Sequence, residues 1–389
     1  MPRRAFSVPR WVCTASAAVM CSVVGMQSHA ETAGPSQIAK ADFRLWPEPI
    51  NTVSGFDKAS RAALLVYVQA LHQASQESDA DMQAAFKIKS FNRASVDKWI
   101  RRELDASLWN YQLAAKHCAS SDWTCMGPIG TAAQLVDKSN GWVPPAALSS
   151  WRDNLGRFAQ VYVAEQLRLA ALFPQVSSEI DRFHDGEWSG DTLPDRLFYL
   201  TLDDGPTQVG GSTDDMLKVL SVEKKSAVFF MLGQNLKGRL GRQPASRLAD
   251  LYKGQCVASH GWEHQSHAKW TQWEDSVKQT QSLLKESFPA ADVLPLFRPP
   301  YGQRKPDSAT FFQHQGIRVA LWNLDSQDWN SRVTPDDIVN RMLTLMLVKR
   351  HGVLLFHDIH PKVQVSLPRL LELLGSSVEW GDCHQLGKL

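Results

Sequence analysis

Beyond residue 195 the chain repeats one pattern: a short apolar run that stops at a cluster of polar residues. Leu200-Thr201-Leu202 runs into Asp203-Asp204-Gly205-Pro206, and Cys256–Ser259 into His260-Gly261-Trp262-Glu263-His264. Phe297 leads into Arg298-Pro299-Pro300-Tyr301-Gly302, Trp322 into Asp325 and Asp328-Trp329, and Leu354-Leu355-Phe356 into His357-Asp358. Continuous apolar runs are the mark of strands covered on both faces. The expected strands are Leu197–Leu202, Ala227–Leu232, Cys256–Ser259, Arg318–Trp322 and Gly352–Phe356, with helical stretches between them. One of those helices opens at Thr334-Pro335-Asp336-Asp337: an N-cap, a proline in the first turn, then acids at the positive end of the dipole. Alternating strands and helices imply an α/β fold on a mainly parallel sheet, open or closed into a barrel. Barrels build their sites at the C-terminal strand ends, so the five polar clusters are expected to meet in one cup.

The first half of the chain has a different period. Leu64, Leu65, Val68 and Leu71 form one helical stripe; Val96, Trp99, Ile100, Leu104, Leu108 and Tyr111 form a longer one, with Ser95 placed to cap it and Asp97 in its first turn. Leu155, Phe158, Tyr162 and Leu169 predict another helix, ended by Pro174. Residues 31–185 are therefore expected to be an all-α domain with a loop-rich middle near Gly127–Pro145, followed by a turn-rich linker at 186–194 and an α/β domain at 195–389. The helical part shows no repeat and no catalytic constellation, and the residues name no protein partner for it.

Composition narrows the function classes. Lys and Arg number 42 against 40 Asp and Glu, too balanced for a chain whose main task is gripping nucleic acid. Arg3, Arg4 and Arg10 precede an uncharged stretch from Trp11 to Met26, and Ser28-His29-Ala30 offers small residues for cleavage. Residues 1–30 thus read as a secretory signal peptide, with the mature protein exported, periplasmic or secreted, and without a stable membrane span. Without that segment 39 basic residues face 40 acidic ones. Cys118, Cys125, Cys256 and Cys383 then remain, an even count that favours disulfides outside the cytoplasm. Cys118 with Cys125, close in sequence around a polar loop, is the favoured pair, leaving Cys256 with Cys383. Fourteen Trp suit either a sugar ligand or large cores.

The chemistry sits in the clusters. Two histidines four apart can face one centre where the backbone turns, although such pairs are also common on surfaces. A carboxylate from Asp203 or Asp204 would complete a facial His-His-Asp set with open positions, which suits catalysis. Neighbouring side chains at a strand end point different ways, so one carboxylate can bind a metal while the other faces water. Each cluster alone has a plain reading as an acidic turn, a rigid turn or a helix cap; their joint occurrence in order is the informative fact.

Together these residues resemble the polysaccharide deacetylases with a NodB homology domain, carbohydrate esterase family 4. The resemblance covers about Leu197 to Leu374 and leaves out the helical half. It implies a distorted (β/α) barrel and a hydrolase acting on carbon–nitrogen bonds other than peptide bonds. The implied reaction removes acetyl groups from an N-acetylated polysaccharide of the N-acetylglucosamine type. The resemblance makes Asp203 the catalytic base and Asp204, His260 and His264 the ligands of one divalent ion, usually zinc. Arg298 matches the arginine that orients the base, and Tyr301 the residue whose backbone N–H helps form the oxyanion site. Asp328, beside Trp329, matches the carboxylate that tunes the catalytic histidine, with Asp325 the other candidate. His357 matches the general acid, and Leu355 the apolar residue lining the acetyl pocket. Gly261 departs from the family, which has Ser or Thr there; Leu202 and Gln265 depart where Phe and Pro are common. His267 stands nearby as a spare donor, and Trp262, Trp270 and Trp273 could stack on sugars or pack in a core. The competing readings are an O-acetyl glycan esterase and a non-catalytic carbohydrate-binding or assembly protein.

Overall fold

The computed structural model describes residues 37–386, so the expected signal peptide lies outside the described residues. Five helices come first: α1 Val53–Ser75, α2 Asp79–Phe86, α3 Arg93–Ala114, α4 Ala132–Asn140 and α5 Ser149–Leu172. Then follow β1 Glu187–Trp188, β2 Leu197–Asp203, α6 Ser212–Glu223, β3 Ala227–Met231, α7 Gly233–Leu240, α8 Ala245–Leu251, β4 Cys256–Ser259 and α9 Trp273–Ser287. The chain continues through β5 Val293–Phe297, α10 Ala309–Gln315, β6 Arg318–Ala320, β7 Leu324–Asp325, α11 Pro335–Lys349, β8 Gly352–His357, α12 Pro361–Leu374, β9 Glu379–Trp380 and α13 Cys383–Leu386.

The strands pair in the order β1-β6-β5-β4-β3-β2-β8-β7, with β9 also on β2, and every pair is parallel. The path keeps two free ends, β1 and β7, so the parallel sheet that the strand–helix alternation predicts is the distorted, incomplete barrel that the family resemblance implies. Strand β2 lies between β3 and β8 along its length, which explains why its side chains from Phe198 to Asp203 are all buried. In that register Asp203 sits beside His357, so two of the polar clusters are neighbours by strand pairing alone.

Local details correct the sequence reading in three places. The cap of helix α3 lies three residues before the expected one: Asn92 Oδ1 accepts from the Ser95 N–H, which puts Ser95 in the first turn. The stretch near Gly127–Pro145 is not all loop, because Thr131 caps α4 within it. Residues 186–194, expected to be a linker, carry β1, which joins the sheet beside β6. Glu187 of β1 is fully buried and pairs with Arg304, Nε to Oε1 at 2.7 Å. At Thr334 the structure agrees with the sequence and forms a full capping box with Asp337. Cys118 bonds Cys125 and Cys256 bonds Cys383, each pair with Cα atoms 5.9 Å apart. Much of the tryptophan fills a core: Trp46 packs on Trp151 at 4.9 Å, and Trp123 stacks on Trp142 at 5.6 Å.

The helical and α/β regions share one hydrophobic core, from Phe56, Leu64 and Val68 of α1 through Leu345 and Met346 of α11 to Leu354 of β8. Buried polar ties cross the same seam. Ser60 Oγ donates to the Leu347 carbonyl at 2.6 Å, Lys349 Nζ meets Glu103 at 2.6 Å, and Arg341 Nη2 meets Glu165 at 2.7 Å. Removing one partner of a buried ion pair leaves an uncompensated charge, at a cost of roughly 3–5 kcal/mol. Arg341→Ala is therefore expected to lower stability to chemical denaturation by about that amount, in one transition covering both regions. A loss below about 1 kcal/mol, or two separate transitions, would contradict the shared core.

Candidate active site

The site begins with Arg298, which follows β5 and is fully buried. Its Nη1 donates to Asp203 Oδ1 at 2.8 Å and to Thr201 Oγ1 at 2.7 Å; Nε and Nη2 donate to the carbonyls of Ala320 and Leu321 at 3.2 and 3.0 Å. Its plane lies 4.0 Å from the Phe230 ring centre. The Arg298 carbonyl faces His260 Nδ1 at 2.8 Å. A carbonyl only accepts, so Nδ1 carries a proton, and Nε2 is the nitrogen left for a ligand.

Nε2 of His260 faces Asp204. Strand β2 has just ended, and Asp204 takes φ 78, in the left-handed region. Its Oδ1 lies 3.2 Å from His260 Nε2 and 3.4 Å from His264 Nε2. Oδ1 is buried and has no hydrogen-bond partner. A buried carboxylate oxygen held without a hydrogen bond against two imidazole nitrogens is a place suited to a cation. The spacing fits: two ligands about 2.0–2.1 Å from a tetrahedral ion lie roughly 3.3 Å apart. The three ligand atoms thus form a group that could hold a metal ion. Burial opposes the charge of Asp204, yet His260, His357 and His264 hold its carboxyl below the usual carboxylate range.

Across the strand pair, His357 ends β8. Its Nδ1 meets Asp328 Oδ1 at 2.7 Å, and its backbone N–H donates to Asp328 Oδ2 at 2.8 Å. The choice left open between Asp325 and Asp328 falls to Asp328, because Asp325 instead accepts from Gln327 N and Nε2 at 2.8 and 2.9 Å. Burial works against a charged imidazole, but the Asp328 carboxylate outweighs it and pushes His357 up to about 10. At neutral pH this side chain is a cation with its Nε2–H free to donate.

These groups border one cavity of about 410 Å³. Of the ten site residues named from sequence, Asp203, Asp204, His260, His264, Tyr301, Trp329, Leu355 and His357 line it, while Arg298 and Asp328 are fully buried behind it. The Tyr301 ring sits edge-on to His264 at 4.4 Å. Trp262, Trp270 and Trp273 do not border the cavity; Trp273 packs in a core with Phe297 and Phe312.

The Gly261 departure has a local explanation. A Cβ there would lie 2.6 Å from His267 Cε1 and 3.0 Å from Ser276 Oγ, and Gly261 has φ 81. The ring of His267 occupies that space, with Nε2 3.0 Å from Ser276 Oγ, which in turn accepts the Trp262 N–H at 2.7 Å. His267 and Ser276 brace the loop that carries His260 and His264. One contribution escaped the sequence reading altogether. Gln166, Leu169 and Leu172 of α5, with Ser178 and Glu179 after it, form another wall of the cavity. No local pattern marks those residues.

A parallel open barrel bearing a carboxylate–histidine trio beside a second carboxylate and a histidinium defines a hydrolase-type site. Residues 190–320 match the polysaccharide deacetylase family. A chitooligosaccharide deacetylase of Sinorhizobium fredii is 32% identical over 162 residues, covering 41% of this chain and 71% of that protein. A peptidoglycan-N-acetylglucosamine deacetylase of Bacillus cereus is 30% identical over 193 residues, covering 46% of this chain and 65% of that protein. A solved family 4 carbohydrate esterase from Streptomyces lividans, in complex with acetate, is 28% identical and covers 50% of this chain and 95% of its own, at a TM-score of 0.41. The chain belongs to the polysaccharide deacetylase family. It spans just under two thirds of the Bacillus protein and 35% of a Listeria monocytogenes peptidoglycan-N-acetylglucosamine deacetylase. The family match ends before Trp329, Leu355 and His357, which the fold brings to the same cavity, and before Asp328, which lies buried behind it.

A raised histidine pKa stabilises the fold fully below the ordinary value near 6.5, and that stability is lost as pH rises through about 10. In metal-free protein, NMR titration of His357 should show a doubly protonated ring throughout the neutral range. Asp328→Asn should lower its midpoint by about 1–3 units. An unchanged midpoint would show that Asp328 does not hold the cation.

Proposed function

We propose that the protein is a metal-dependent deacetylase that hydrolyses the acetamide of N-acetylglucosamine-type glycan units. The observation that carries this is the meeting, in one cavity, of an arginine-held carboxylate, a cation-ready trio and a carboxylate-held histidinium. Relatives named for peptidoglycan N-acetylglucosamine and for chitooligosaccharides support the substrate class.

Asp204, His260 and His264 would hold the ion, and zinc suits two imidazoles and a carboxylate. Once bound, a divalent ion polarises the carbonyl and acidifies water. The remaining chemistry belongs to the chain. Asp203 keeps Oδ1 on Arg298, which leaves Oδ2 to take the proton of the attacking water. Charge then develops on the carbonyl oxygen, and the Tyr301 N–H stabilises it. His357 gives its Nε2 proton to the departing amine, and Asp328 keeps the ring oriented and charged. The C–N bond breaks to release acetate and a free amino sugar. Leu355 and Trp329 present apolar surface to the acetyl group and the sugar ring. The expected export from the cytoplasm places such an enzyme where wall or secreted glycans are found.

Acetate release from chitin oligomers and peptidoglycan fragments tests the reading. Asp203→Asn should cost about 10²–10⁴ in turnover while keeping bound metal. Asp204→Asn should lose metal and activity together, and His357→Ala should keep metal and lose turnover. An active parent whose Asp203→Asn variant runs near full rate would refute the roles. A parent that releases no acetate from any acetylated glycan would refute the function.

A further inference from the structure

The helical region builds part of the catalytic cavity, and that wall is held rigidly. Ser177 Oγ donates to the Arg304 carbonyl at 2.9 Å, and Arg304 Nη1 donates to the Ser178 carbonyl at 2.6 Å. Arg304 is itself buried and paired with Glu187. Gly302, beside Tyr301, has φ 66, and a Cβ there would lie 2.9 Å from the Glu179 backbone nitrogen. The loop carrying Tyr301 and the segment carrying Glu179 therefore pack backbone to backbone. On the other side of the segment, Glu165 of α5 is locked to Arg341 and to the Ala39 N–H.

Two polar atoms beside this wall have no partner. Trp322 Nε1 and Gln327 Oε1 are both buried and unbonded, and both residues, each 7% exposed, border the cavity. Gln327 spends its N–H and its amide NH₂ on Asp325, which leaves the amide oxygen as a pure acceptor. The indole N–H is a pure donor. Buried polar atoms without partners are rare enough in folded proteins to call for an explanation. Glu179 stands on the same wall, and its carboxyl is pushed up to about 7 by burial and by the charge of Asp325. It can both donate and accept near neutral pH. A sugar hydroxyl also donates and accepts at once, and Leu169 and Leu172 of α5 offer apolar surface to a ring face.

We propose that the helical region is a substrate-binding part of the enzyme, and that Glu179, with Trp322 and Gln327, forms a subsite for the hydroxyl groups of a pyranose ring of the glycan. The subsite rests on the deacetylase reading for its substrate class, and it places specificity on residues outside the family match. Water is the competing partner for Trp322: Gln166, Glu179, Trp322 and Asp325 also border a second cavity of about 30 Å³, room for about two waters.

The test uses the full chain with (N-acetylglucosamine)₄. Kinetics are compared with those on 4-methylumbelliferyl acetate, and tetrasaccharide binding is measured by calorimetry in an Asp203→Asn background. Glu179→Ala and Trp322→Phe should each raise KM and Kd for the tetrasaccharide about threefold to tenfold, the worth of one hydrogen bond. The change should fall on KM more than on kcat, and the ratio of glycan to aryl-acetate kcat/KM should drop by a similar factor. Glu179→Gln, which keeps a donor and an acceptor, should return KM and Kd close to the parent values. Binding that depends on Glu179 in a parent that releases no acetate would uphold the subsite and sink the deacetylase reading. An active parent whose KM and Kd ignore both changes would overturn the subsite alone, with water then the partner of Trp322. A parent that binds no tetrasaccharide would overturn the subsite as well.

Discussion

Arg298 is the residue on which the site depends. Its side chain holds Asp203 and Thr201 at the end of β2 and reaches the carbonyls of Ala320 and Leu321 at the exit of β6, while its own carbonyl fixes His260 after β4. One residue thus ties three strand ends together and fixes which nitrogen of His260 faces Asp204. A guanidinium removed from water is costly to bury alone. Here it is offset by one carboxylate, three further acceptors and the face of Phe230. Arginine is suited to this place, because its rigid fork serves several acceptors at fixed angles and keeps its charge.

The charge pattern around Arg298 separates two adjacent carboxylates by environment. Asp203 is committed to a permanent cation through Oδ1, and its other oxygen lies 3.9 Å from His260 Nε2. Asp204 has turned the other way, toward two imidazoles, with one oxygen unsatisfied. The result is one carboxylate bound to an arginine and one facing two imidazoles, from consecutive residues. On the neighbouring strand, Asp328 favours the charged form of His357 by the same means, a buried ion pair. The cavity therefore brings together two carboxylates, the histidines that follow β4 and the histidine that ends β8, from three parallel strand ends.

Much of the barrel was legible because its strands are buried on both faces and leave unbroken apolar runs. β4 falls where the run Cys256–Ser259 lies, and β2 and β8 extend one residue past their runs to end on Asp203 and His357. The ten site residues converge because polar residues at strand exits have little else to do in such a fold. Short or edge elements were invisible for the opposite reason: β1, β7 and β9 have two residues each, too few to show a period. The cap of α3 was misplaced because Asn92 and Ser95 are both good capping residues three positions apart, and only the backbone decides between them. Asp325 and Asp328 could not be separated from sequence, since both follow the same strand exit. The helical wall was unreadable in principle. Its placement rests on bonds such as Ser177 to Arg304, 127 residues apart, which no local window contains.

The central claim is that Asp204, His260 and His264 form a seat for a divalent ion beside Asp203. Diffraction from crystals grown with zinc, collected on both sides of the zinc absorption edge, tests it most directly. The account predicts an anomalous peak about 2.0–2.2 Å from Asp204 Oδ1 and from Nε2 of His260 and His264. An empty site with the two imidazoles turned away from Asp204, or zinc bound elsewhere with these three left free, would contradict it.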